Sequence, residues 1–186
     1  MQAALSDLAF VQDLFQRIAT DLELTVGQEL SIAEVRTERC TARVAGRDRI
    51  HVSFRVAFQV GDEVLHGCVL LPLPEALTIA SYLLMLSSEE VAAIRELSAP
   101  DGTMKEALLE IGNFVAGSID AVVRKWFPKR HAANAEGCQG VRPNVRPAFP
   151  FREGSELVVG RARACLEPFG EFELIVMLPP LEPPLE

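Results

Sequence analysis

GCVLLPLPEALTIASYLLML, Gly67 to Leu86, is the most apolar region of the chain, and where it is divided decides the fold. A continuous helix of about 20 apolar residues would span a bilayer. Pro72, Pro74 and Glu75 break this run, so it reads as a strand that turns directly into a helix. Pro74 then lies in the first helical turn, where a missing N–H leaves no hydrogen bond unmade.

Working outward from that junction, the hydrophobic period changes along the chain. Leu8, Val11, Phe15, Ile18 and Leu22 recur at intervals of three and four, which predicts an amphipathic helix over residues 5–24. VRTERCTARV, RIHVSFRVAFQV and EVLHGCVLLPL follow as three strands separated by the turn signals AGRD and GD, and connections this short predict antiparallel neighbours. After EALTIASYLLML comes a short capped helix, SSEEVAAIREL, and then a long helix in which Thr103 and Glu106 form a capping-box pattern. Periodicity is lost from Pro128 to about Pro150, which predicts a long loop. ELVVGRARACLEP and EFELIVMLP are two final strands, and the Pro-rich tail over 179–186 is extended. Helix, three strands, helices, loop and two strands make an α+β fold in a single domain over 1–186, an antiparallel-rich sheet packed against long helices.

Composition narrows the function classes. The net charge of -8 opposes nucleic acid, whose phosphates the overall field would repel. Cys40, Cys68, Cys138 and Cys165 show neither C-x-x-C spacing nor a pairing with histidine that would suit zinc, and read as buried free thiols. Asp7 and Asp13 interrupt any signal-peptide core, so the expectation is a cytoplasmic protein without a membrane segment. Ser53, Ser81 and Ser155 sit in no nucleophile elbow, and His51, His66 and His131 form no readable triad. RKWFPKRHAANAEGCQGVRPNVR, Arg124 to Arg146, carries six basic residues against one acid, a solvated loop or a grip for an acidic partner.

The long helix holds EALLEIGNFVAGSID, Glu106 to Asp120. Projected at about 100° per residue, Leu108, Ile111, Val115, Ile119, Val122 and Trp126 form one face. Glu106, Glu110, Asn113, Gly117, Asp120 and Arg124 fall opposite, turned outward. A helix-interior Gly costs about 1 kcal/mol relative to Ala, and Asn is a mediocre helix former. Gly117 therefore suggests close approach by something else. A solvated polar face would account for the same pattern.

Glu110-Ile111-Gly112-Asn113 followed by Gly117 resembles the E-x-x-N motif of the CheC, CheX and FliY phosphatases of bacterial chemotaxis, and the element order from about residue 8 to 178 is similar to that of CheX-like members. Glu106 stands where the family usually has Asp or Ser, and Glu136 where it has a proline, with Pro143 as a displaced counterpart. The first helix reads Asp7-Leu8-Ala9-Phe10 and Asp13-Leu14-Phe15-Gln16 and lacks a second motif, so one site is expected.

The resemblance implies removal of the phosphoryl group from the aspartate of a CheY-like response-regulator receiver, in chemotaxis or two-component signalling. Asn113 would hold the attacking water and Glu110 would pair with the receiver's lysine, while Glu106 and Gly117 would contact the partner. No cofactor of the chain's own is implied; Mg²⁺ belongs to the bound receiver. CheX-like members also suggest a homodimer. The competing reading is a non-catalytic interaction module of the same fold, a flagellar switch or signalling adaptor component.

Overall fold

The computed structural model describes residues 2–127, 131–152 and 154–181. α1 (Gln2–Val26) is followed by β1 (Leu30–Cys40), β2 (His51–Val60), β3 (Glu63–Pro72), α2 (Leu73–Leu83), α3 (Ser88–Arg95) and α4 (Gly102–Trp126). β4 (His131–Val141), β5 (Leu157–Leu166) and β6 (Gly170–Leu178) complete the chain. The strands form one sheet in the order β1-β5-β6-β3-β2-β4, and every neighbouring pair is antiparallel. The α+β class and the antiparallel sheet are as the sequence implies.

Side chains alternate across each strand, so the sheet has two distinct faces. Val52, Phe54, Val56 and Phe58 of β2, Val69 and Leu71 of β3, and Leu174, Val176 and Leu178 of β6 join the helices in the main core. α1 contributes Phe10, Val11, Leu14, Phe15, Ile18, Ala19 and Leu22, the three-and-four spacing made physical. Gly160 lets α1 approach, since a Cβ there would collide with the side chains of Val11 and Val176. α1 ends at Gly27, whose φ of 69° and N–H bond to the Glu23 carbonyl (2.8 Å) close the last turn.

Two strand expectations are corrected. β1 does not neighbour β2; it pairs with β5, Leu30 opposite Leu166 and Cys40 opposite Leu157. The chain between β1 and β2 instead crosses the sheet. Three strands separate them, about 19 Å at the usual spacing, and the ten residues 41–50 can span about 33 Å when extended. The second correction concerns the loop expected over about 128–150, which contains β4. Ala133, Ala135 and Cys138 lie beneath α4 in the main core, too small to announce a strand, while pairing with β2 supplies the ladder.

The face away from the helices is covered by chain that crosses it twice. Residues 41–50 run one way and 142–152 the other, with Val44, Phe149 and Phe151 packed on Cys68, Leu70, Leu157, Val159, Ile175 and Met177. The crossings are tied together where Asn144 donates to the Gly46 carbonyl (2.9 Å) and Arg43 to that of Pro147 (3.0 Å). Toward β1 this face is open and carries a charge ladder in which Arg161 pairs with Glu173 (3.0 Å), as does Arg36 (3.1 Å). The edges defend themselves: β1 has an irregularity between Ala33 and Arg36, and β4 has one opposite Phe54–Val56, near Gly137. Both edges are thus blunted within the chain itself. Of the tail, Leu181 is buried in this chain's own core, and residues 182–186 lie outside the described residues.

Two local expectations also differ. α4 is capped by Asp101, whose side chain accepts from the Met104 amide (2.8 Å), rather than by Thr103. The four cysteines are free, but only Cys68 is buried, and burial pushes its thiol up to about 12. No helix among the described residues is long and apolar enough to cross a membrane.

Candidate functional site

α4 is held from several sides before it presents anything to solvent. Lys125 and Trp126 at its end both donate to Asp13 of α1, at 2.7 and 2.8 Å, and these bonds hold the Asp13 carboxyl below its ordinary value, Lys125 contributing most. Ser118 donates to Asp21 of α1 at 2.7 Å. Leu108, Ile111, Val115, Ile119 and Val122 are buried, so the inner face is the one the helical projection selects. Gly112 lies close against the sheet, where an added Cβ would stand 3.2 Å from Phe54.

The opposite face presents Glu106, Glu110, Asn113 and Gly117, all exposed, over about 16 Å of helix axis. Asn113 Nδ2 donates to Glu110 Oε2 at 3.0 Å. The two side chains, one turn apart, thus form an ordered pair, and the Asn113 amide retains an acceptor and a second N–H. A Cβ on Gly117 would meet nothing within 4 Å. Its lack of a side chain answers no packing requirement of this chain, and its helix-breaking tendency is uncompensated by internal contacts.

Asp120, expected on the outward face, leaves it for a structural role. Its Oδ1 accepts from the Ala133 amide of β4 (2.8 Å) and its Oδ2 from Arg124 (2.7 Å), fastening α4 to β4. Sequence reasoning also passed over Leu109, 46% exposed beside Glu110 and within reach of Gly137 on β4. A signal existed: Leu109 projects outside the apolar arc, which an ordinary amphipathic helix fills with a polar residue.

The basic segment from Arg124 to Arg146 does not form one patch. Arg124 and Lys125 are paired on α4, Arg142 and Arg146 belong to the crossing on the other face, and Lys129 and Arg130 lie outside the described residues. Glu136, at the family's proline position, is in β4 and binds His66 Nδ1 at 2.8 Å. His51 is buried with its Nδ1 on the Arg49 carbonyl (2.9 Å), and burial lowers its pKa. Among the described residues no three His, Cys, Asp or Glu side chains converge as metal ligands.

No protein-family profile matches the chain, and no curated protein does. Solved structures do. FliY of Thermotoga maritima superposes with a TM-score of 0.69 at 14% identity, over 96% of this chain and 90% of that one. FliM in a FliG–FliM complex from H. pylori gives 0.64 at 9%, over 97% and 94%. The chemotaxis protein CheX from Desulfovibrio desulfuricans gives 0.56 at 11%, over 90% and 97%. The overlap is greater with these FliY and FliM structures than with this CheX, so a CheX-like member in particular is not supported. At such identities the likeness is one of architecture: the chain has the fold of the CheC, CheX and FliY proteins.

Proposed function

We propose that the chain is a phosphatase for the aspartyl phosphate of a CheY-like response-regulator receiver, and that Glu110 and Asn113 carry the reaction. The observation that supports this most is their arrangement: exposed, bonded to each other at 3.0 Å, on a helix fixed at several points, beside the open position of Gly117. Hydrolysis of an acyl phosphate requires a water in line with phosphorus. Asn113 can orient one through its amide oxygen and its free N–H, and being neutral it does not repel the phosphoryl group. Glu110 is anionic and faces outward, suited to accept a charge-assisted bond from the receiver's lysine. Mg²⁺ in the receiver neutralises the phosphoryl oxygens. Glu106, Leu109 and Gly117 provide the surrounding contact surface.

Non-catalytic binding through the same helix is the second reading. It is favoured by the greater overlap with FliY and FliM structures, two of the latter solved in complexes with FliG and SpeE. Incubating the chain at a few per cent of the concentration of a phosphorylated receiver separates the two. Multiple turnovers of phosphate release, lost in Asn113→Ala with receiver binding retained, are expected of the phosphatase. Binding without acceleration would leave the adaptor.

A further inference from the structure

The arginines differ in how their charge is met. Arg17, Arg36, Arg39, Arg95, Arg124, Arg161 and Arg163 each lie within 4 Å of a carboxylate oxygen. In the two crossings, Arg43 donates only to the carbonyls of Pro147 and Phe149. Arg47 and Arg146 make no ion pair or side-chain hydrogen bond among the described residues and are exposed. These three line one cleft of about 730 Å³ together with Arg39 and Arg161.

The carboxylates beside Arg39 and Arg161 are already committed, and Asp48, next to Arg47 in sequence, does not line the cleft. Arg39 is paired with Asp7 and Glu156, and Arg161 with Glu173 and Glu38. Among the described residues no acidic side chain lines the cleft, whose remaining walls are Cys40, Thr41, Ala42, Val44, Ala45 and Asn144. Three like charges gathered in one concavity repel one another, and a protein of net charge -8 has carboxylates enough to neutralise them. Their convergence without one is explained by an external anion.

We propose that this cleft binds a small anion carrying two or more phosphoryl groups, a polyphosphate or nucleoside polyphosphate. The charge sets the number, because a single phosphate monoester brings at most about two negative charges against three uncompensated guanidinium groups. The guanidinium fork matches phosphate oxygens in pairs. A volume in the range of about 300–1,000 Å³ suits a small molecule. The apolar Ala42, Val44 and Ala45 offer a surface for a base or sugar. The cleft is built from the crossings over the sheet face that the helices leave uncovered, so it stands or falls independently of the pair on α4.

The test is calorimetric titration of the intact chain with inorganic triphosphate, and separately with adenosine triphosphate, both free of divalent metal. One-to-one saturable binding is expected, weakened about tenfold or more in Arg47→Gln and in Arg146→Gln, since each removes a charge-assisted contact. Arg142→Gln, on the same crossing but outside the cleft, should bind as the parent does. Arg47 and Arg146 have no ion pair or side-chain hydrogen bond among the described residues, so their variants should keep the parent melting temperature. No saturable binding at low millimolar concentration, or equal affinity in the Arg47→Gln/Arg146→Gln double variant, would overturn the proposal.

Discussion

Gly117→Ala separates what α4 does for the fold from what it does for a partner. Gly117 lies at least two turns from either end of α4, and its Cβ position is open space. The added methyl group thus meets no strain and restricts the unfolded chain, which stabilises the protein by about 0.8–1.0 kcal/mol. For a domain of this length that raises the melting temperature by about 2–4 °C. The same methyl group stands on the surface proposed to meet the receiver. If the receiver approaches the helix backbone there, it must withdraw, and a shift of about 1 Å between water, amide and phosphorus is enough to slow hydrolysis about 100-fold. Differential scanning calorimetry and single-turnover phosphate release from a phosphorylated receiver measure the two effects. A variant that is more stable and slower is expected. One that is more stable with undiminished turnover would refute close approach at Gly117, and one that is less stable would refute the open space.

Other outcomes follow from the same geometry. Glu110→Gln should raise the receiver concentration needed for half-maximal rate by roughly ten- to one-hundred-fold, the loss of a charge-assisted bond of about 1.5–3 kcal/mol, with an unchanged thermal midpoint; enzyme kinetics against receiver concentration check it. Ile111→Ala, at a fully buried position on the inner face, should destabilise by about 2–5 kcal/mol in urea unfolding. Asp13 gives a pH signature. Its folded pKa is depressed, so its stabilisation is present above the unfolded value and is lost as pH falls through the folded one. Asp13→Asn should therefore be about 1–2 kcal/mol less stable than the parent at pH 7, and the difference should vanish in strong acid.

The legible parts of the chain were those in which local period and tertiary burial agree. α1, the β2–β3 hairpin, the strand–Pro–helix junction and the inner face of α4 all follow from spacing, because the residues that set the period are the residues that are buried. β4 was illegible for the opposite reason: alanines and glycines carry no period, and its strand exists because β2 offers a ladder and α4 needs a low surface beneath it. The partner of β1 was equally hidden. Alternation identifies a strand but not its neighbour, and a short connection favours hairpins only where the chain does not cross a sheet. At α4 the outward position of Glu110 and Asn113 was readable from angle alone. The capture of Asp120 by the Ala133 amide was not, since it depends on the unseen β4.

The pairing of β1 with β5 also bears on how the chain is made. Cys40 finds Leu157, and Leu30 finds Leu166, so the first strand has no sheet partner until the chain has been synthesised through β5. At roughly 5–20 residues per second, that wait lasts on the order of 6–25 s after β1 leaves the ribosome. Meanwhile β2, β3 and α2 can assemble among themselves, whereas the apolar stripe of α1 lacks Gly160, the strand position against which it packs. The N-terminal helix–strand unit is therefore the segment on which a nascent-chain chaperone would act, and the order of translation is the reverse of the order in which this edge of the sheet can close.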